Sequence, residues 1–143
     1  MISDHAGAYY RLIADVQTNG KINLSVNYFG GVLDGNGHTI SGLKKPLTVQ
    51  NAGTIKNLRI VAEFDDDSQN AQGVFAQYNI GKIQECTVFG TVTGHMGGQG
   101  LQEFPKFGGF AGENSGTISG CSSKLNINLV MPAMKSWVGG IAG

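Results

Sequence analysis

A chain of 143 residues has the length of one domain, and its ten basic and ten acidic residues cancel, so nothing in the charge balance favours nucleic acid or an anionic membrane. Charged residues make up only 14% while glycine fills 23 positions without a triplet period, which excludes collagen and predicts many tight turns between short apolar runs. No apolar run approaches the roughly 20 residues of a membrane-spanning helix, and Met1-Ile-Ser-Asp-His5 lacks the basic and apolar regions of a signal peptide.

Along the chain, Tyr10 to Val16 and Lys21 to Val26 alternate apolar and polar residues and are predicted as strands of a first coil or blunt N-terminal cap, within residues 1–28. A phrase then occurs four times: Asn36-Gly-His38-Thr-Ile40-Ser-Gly-Leu43, Asn51-Ala-Gly53-Thr-Ile55-Lys-Asn-Leu58, Asn79-Ile-Gly81-Lys-Ile83-Gln-Glu-Cys86 and Asn114-Ser-Gly116-Thr-Ile118-Ser-Gly-Cys121. Val32, Leu47, Phe75 and Phe110 each stand eight positions before one of the Ile residues. A fifth copy starts at Gly139, where Gly139 to Gly143 matches Gly108 to Gly112. Met1 at one end and a partial copy at the other predict a segment of a larger surface protein.

Period-2 alternation follows the later copies. Leu58, Ile60, Ala62 and Phe64 are expected to point inward and to align with Cys86, Val88, Gly90 and Val92, and with Cys121, Ser123, Leu125 and Ile127. Gly90 against Leu125 keeps the packed volume constant. Helix is excluded by frequent Gly or Pro and by β-branched runs. Repeats of unequal length built from short strands predict an all-β chain, a right-handed parallel β-helix of about four to five coils, with residues 1–143 as one unit and the repeats over 29–143. The repeated Asn residues are expected to form an amide ladder at one corner. Gly53, Gly81 and Gly116 are expected at positive φ, with His38 as a turn residue in the same slot.

Phe29 to Leu43, which contains Asp34-Gly-Asn-Gly-His-Thr-Ile-Ser-Gly-Leu43, resembles the opening module of bacterial surface proteins with GLUG-motif repeats. Gly108 to Cys121 is similar to the GLUG repeat itself, and Tyr9 to Asp15 to the strand that leads into the module. The resemblance covers roughly residues 9 to 143, with Gln77-Tyr78 departing where glycine is usual. It implies a parallel β-helix in a secreted or surface-attached protein, most often an adhesin or its spacer; similar repeats occur in the N-terminal regions of IgA1-protease-type zinc metallopeptidases. It brings no catalytic residue to these positions.

The residues themselves argue against an enzyme or cofactor. Glycoside hydrolysis needs two carboxylates placed across a glycosidic bond. Only Asp65, Asp66 and Asp67 cluster, all in one loop, and they lack the spaced ligand pattern of a Ca²⁺ loop, so a solvated acidic loop is expected. His5, His38 and His95 fall on unrelated elements and no Cys-x-x-Cys exists, so no zinc site is predicted. Cys86 and Cys121 align on consecutive coils and are expected as two reduced core thiols rather than a bridge. Asn23-Leu-Ser25 is a lone, incidental sequon.

All length variation falls at one corner, in residues 65–72, 93–107 and 128–138, which are 8, 15 and 11 residues long. These segments carry the candidate binding residues Asp65, Asp66, Asp67, His95, Met96, Phe104, Lys106, Met131, Met134 and Trp137. Loops on a rigid scaffold concentrate binding residues, so the expected partner is a host-surface protein or glycan. The bland alternative has Trp137 and the methionines covering an apolar flank. The other function classes are a structural spacer or fibre shaft, including a phage or contractile-tail fibre, and, behind both, a polysaccharide-active enzyme. Open strand edges at the ends of a β-helix predict end-to-end self-association.

Overall fold

Strands of three or four residues bury too little to stand alone, so stacking decides the architecture. The computed structural model describes residues 7–18, 26–65, 72–95, 106–130 and 137–143. The first coil holds β1 (Tyr9–Arg11), β2 (Val16–Gln17) and β3 (Val26–Phe29). The second holds β4 (Val32–Asp34), β5 (Thr39–Leu43) and β6 (Thr48–Asn51). The third holds β7 (Thr54–Lys56), β8 (Arg59–Asp65), β9 (Gln72–Gly73) and β10 (Ala76–Asn79). The fourth holds β11 (Lys82–Gln84), β12 (Thr87–His95), β13 (Lys106–Gly108) and β14 (Ala111–Asn114). The fifth holds β15 (Thr117–Ser119), β16 (Ser122–Val130) and β17 (Trp137–Gly139).

Equivalent strands of successive coils pair in parallel. The first sheet runs β1-β4-β7-β11-β15 and the second β2-β5-β8-β12-β16; the third runs β9-β13-β17 and the fourth β3-β6-β10-β14. The chain is a parallel β-helix. Among the described residues the third sheet begins only at the third coil, so the cross-section gains a side there.

The core columns follow the predicted register. Ile60 pairs with Val88 and Val88 with Ser123; Phe64, Val92 and Ile127 form a second column, and Ala62, Gly90 and Leu125 a third. Ile60, Ala62, Phe64, Val88 and Val92 are buried, while Leu125 and Ile127 of the last coil pack against them half-covered. On the first sheet Leu33, Ile55, Ile83 and Ile118 make another column. The rings of Phe75 and Phe110 stack with centroids 4.8 Å apart.

The first copy of the repeat is a correction. Ile40 does not join Ile55; it pairs with Ile60 on the second sheet, and Leu33 is the residue in register with Ile55. Asp34 and Thr39 bracket four residues, Gly35 to His38, where the next coil needs only Asn57 and Leu58 between Lys56 and Arg59. The extra pair of residues swells this corner, and the phrase itself lies one side further along the coil, because Phe29-Gly-Gly-Val-Leu33 holds the positions that Asn51 to Ile55 hold in the next coil.

The amide ladder is therefore shorter than expected. Asn51 Nδ2 donates to Asn79 Oδ1 at 2.7 Å, and Asn79 Nδ2 donates to Asn114 Oδ1 at 2.7 Å. Phe29, not Asn36, occupies the equivalent position before Asn51. Asn51 Oδ1 consequently is buried without a partner.

The left-handed slot was also misplaced. Gly53, Gly81 and Gly116 do not have positive φ, and neither does His38; Gly42, Asn57, Glu85 and Gly120 do, at φ 75°, 53°, 51° and 61°. Gly53, Gly81 and Gly116 are required sterically, because a Cβ on each would collide with the carbonyl oxygen of Gly31, Gly53 and Gly81 in the coil before.

Candidate functional site

The three length-variable segments all leave the second sheet and return to the third. The strands before them, β8, β12 and β16, are in-register neighbours, and so are β9, β13 and β17 after them, so one corner receives all three. Asp66, Asp67, Met96, Phe104, Met131 and Met134 lie outside the described residues. Asp65 and His95 end their strands, and Lys106 and Trp137 start theirs as register partners. The Lys106 ammonium forms an ion pair with Glu113 at 2.6 Å. The backbone thus gathers Lys106 and Trp137 at one edge, and places Asp65 and His95 at the opposite side of the same corner.

A second feature lies at the other end of the second-sheet strands, where the first sheet turns into the second. A groove of about 450 Å³ opens there, lined by Arg11, Asp34, Asn36, Gly37, Asn57, Arg59, Glu85 and Thr87. It spans four successive coils, from Arg11 on β1 to Glu85 and Thr87 beside β12. At about 4.8 Å per coil these steps make a cleft about 14 Å long.

Asp34 is the anchor of this groove. It is only 7% exposed. Its Oδ1 accepts from the Asn36 N–H at 2.9 Å and from Asn57 Nδ2 at 3.3 Å; its Oδ2 accepts from the Tyr9 hydroxyl at 3.1 Å. The Lys56 ammonium stands 3.9 Å away. The Asn36 amide bond chiefly, with the Asn57 and Tyr9 bonds and the Lys56 charge, holds its carboxyl below the usual carboxylate range against the opposing effect of burial. Arg11 donates to Asn36 Oδ1 at 2.6 Å, which pins one guanidinium to the groove wall. Beside the groove, Asp15 accepts from the Thr39 N–H at 2.9 Å and contacts His38 Nδ1 at 3.1 Å. Those two bonds lower its pKa, and the charge of Arg59 adds a smaller contribution.

Two residues of the groove are unspent. Among the described residues the exposed Arg59 side chain makes no hydrogen bond or ion pair. Glu85 is exposed at φ 51°, a conformation that suits Gly and Asn and disfavours a longer side chain. Its carboxylate lies over Gly120 of the next coil.

Cys86 and Cys121 are both free, the first buried and the second half-exposed. Cys86 donates to the Gln84 carbonyl at 3.1 Å and Cys121 to the Ser119 carbonyl at 3.2 Å. The neighbouring Cys121 thiol, then burial, pushes Cys86 above the ordinary thiol range, and the Cys86 thiol in turn lowers Cys121.

Sequence reasoning missed the groove because Arg11, Asn57, Arg59 and Glu85 come from three coils and no single repeat position links them. The available signal was Glu85 itself, an acidic residue in a slot otherwise filled by Gly42, Asn57 and Gly120. Comparison with family models, curated proteins and solved structures finds no match to this chain.

Proposed function

We propose that this chain is a non-catalytic β-helical module of a secreted or surface-attached bacterial adhesin, which engages a host protein or glycan through the stacked segments between the second and third sheets. The observation that carries this reading is that the length differences among the third, fourth and fifth coils all fall at one corner of an otherwise registered stack. A scaffold that holds its coils in register while one corner varies separates support from recognition. The resemblance of residues 29–43 and 108–121 to GLUG-repeat proteins supports the surface setting.

Two features support the non-catalytic part. Asp34 is held ionised with both oxygens already bonded, whereas a general acid needs a raised pKa and a free proton. Its groove partner Glu85 is exposed rather than desolvated. A spacer or fibre shaft is the competing reading, favoured by the unbroken in-register stack.

Surface plasmon resonance separates them. The intact chain is passed over a mammalian glycan array and immobilised extracellular-matrix proteins, beside a variant in which residues 66–71, 96–105 and 131–136 are replaced by short Gly-Ser links. Binding lost in the variant supports the loop edge; binding unchanged by the replacement eliminates it, and no binding by either chain favours the shaft.

A further inference from the structure

The groove between the first and second sheets is a second, separate feature, since β12 alone puts nine residues, about 30 Å, between it and the variable corner. We propose that it binds an acidic oligosaccharide, with the sugar carboxylate on Arg59 and the hydroxyls of neighbouring units on Glu85, Asn57 and Asn36. This proposal does not rest on the loop edge and stands or falls apart from it.

The cleft is long and polar, and it crosses the coils, so it suits an extended chain better than a compact ligand. Its fixed charges divide into spent and unspent groups. Asp34 is consumed by Asn36, Asn57, Tyr9 and Lys56, and Arg11 by Asn36, which leaves Arg59 as the open cation. A guanidinium offers a planar fork that matches a carboxylate bidentately. Glu85 then supplies an acceptor for hydroxyl donors about three coils from the Arg11 end. Its left-handed backbone is the independent sign: glycine fills the same slot in the fifth coil without strain, yet the fourth coil carries Glu. Strain retained at an exposed charged side chain points to use of that side chain.

Isothermal titration calorimetry on the full chain tests this with three probes: a glucuronate-containing tetrasaccharide, its carboxyl-reduced neutral counterpart, and inorganic sulfate. The expected result is saturable binding of the acidic tetrasaccharide, at least tenfold weaker binding of the neutral one, and none of sulfate at matched concentration. Arg59→Gln is expected to weaken the acidic ligand at least tenfold. Glu85→Gly is expected to weaken it severalfold while raising the melting temperature, a pairing that a merely structural role for Glu85 does not produce. Equal binding of acidic and neutral sugars overturns the proposal. So does sulfate binding as tightly as the sugar, no saturable binding at all, or full affinity in Arg59→Gln with the melting temperature unchanged.

Discussion

Asn79 shows how much one side chain can hold in a stack. It is fully buried, accepts from Asn51 and donates to Asn114, so it joins three coils through 2.7 Å bonds. Asn79→Ala removes the 2.7 Å acceptor of the buried Asn51 amide, leaving its nitrogen one long bond to the Lys82 carbonyl at 3.3 Å and its oxygen without a partner, and is expected to cost about 2–3 kcal/mol in urea denaturation. Asn114→Ala should cost about 1 kcal/mol or less, because Asn114 is exposed and Asn79 keeps long contacts to the Thr117 and Gly81 carbonyls. Asp34 gives a pH-dependent counterpart. Its pKa is lowered in the folded chain, so its contribution is present above the unfolded value of about 4 and is lost as pH falls through the lower folded value. Melting temperature followed from pH 6 down to pH 2 should fall less steeply in Asp34→Asn than in the parent chain. Parallel curves would mean that Asp34 is not among the groups whose protonation unfolds the molecule.

At the scale of elements, close approach between coils governs which glycines are replaceable. The corner before β11 is built on Gly81, whose Cα faces the carbonyl oxygen of Gly53 with no room for a methyl group. Backbone on both sides cannot yield as a flexible side chain can. Gly81→Ala is therefore expected to destabilise by about 3 kcal/mol or more, measured by thermal denaturation. Gly140 is the control: it meets nothing within 4 Å of an added Cβ and has no positive φ, so Gly140→Ala should stay within about 0.5 kcal/mol. The strand columns were legible from alternation alone, since Ile60, Ala62 and Phe64 repeat on β12 and β16 without a gap. The first-copy corner was not. Asp34-Gly-Asn-Gly-His reads as one more Asn phrase, and only strand pairing reveals that it carries two extra residues and sits on a different side.

Across the whole molecule, the fifth coil differs from those beneath it. Val88 and Val92 are buried, whereas Ser123, Leu125 and Ile127 in the same columns are half-exposed, and among the described residues β16 pairs only with β12. A nine-residue strand with one side unpaired is a template for a second chain. This chain is expected to associate with rising concentration in light scattering, and Ile127→Lys should suppress that by placing a charge on the open face. A strict monomer at high concentration in the parent chain would count against an exposed edge. The candidate loop residues were legible as a length anomaly, because loop length is written directly in the sequence. The groove was not, because it draws one to three residues from each of four coils and exists only once they stack.

By itself the sequence determined the repeat, the inward columns, the parallel β-helix and the corner where length varies. These depend on periodicity and spacing, which are local properties of the chain. Tertiary structure alone decided which Asn residues join the ladder, which turn residues are left-handed, and which charges remain unpaired beside Arg59 and Glu85. Those depend on which residues meet between coils about 4.8 Å apart, and it is the pairing of Phe29 with Asn51 and of Leu33 with Ile55 that leaves Asn36 and Ile40 outside the ladder and the first-sheet column.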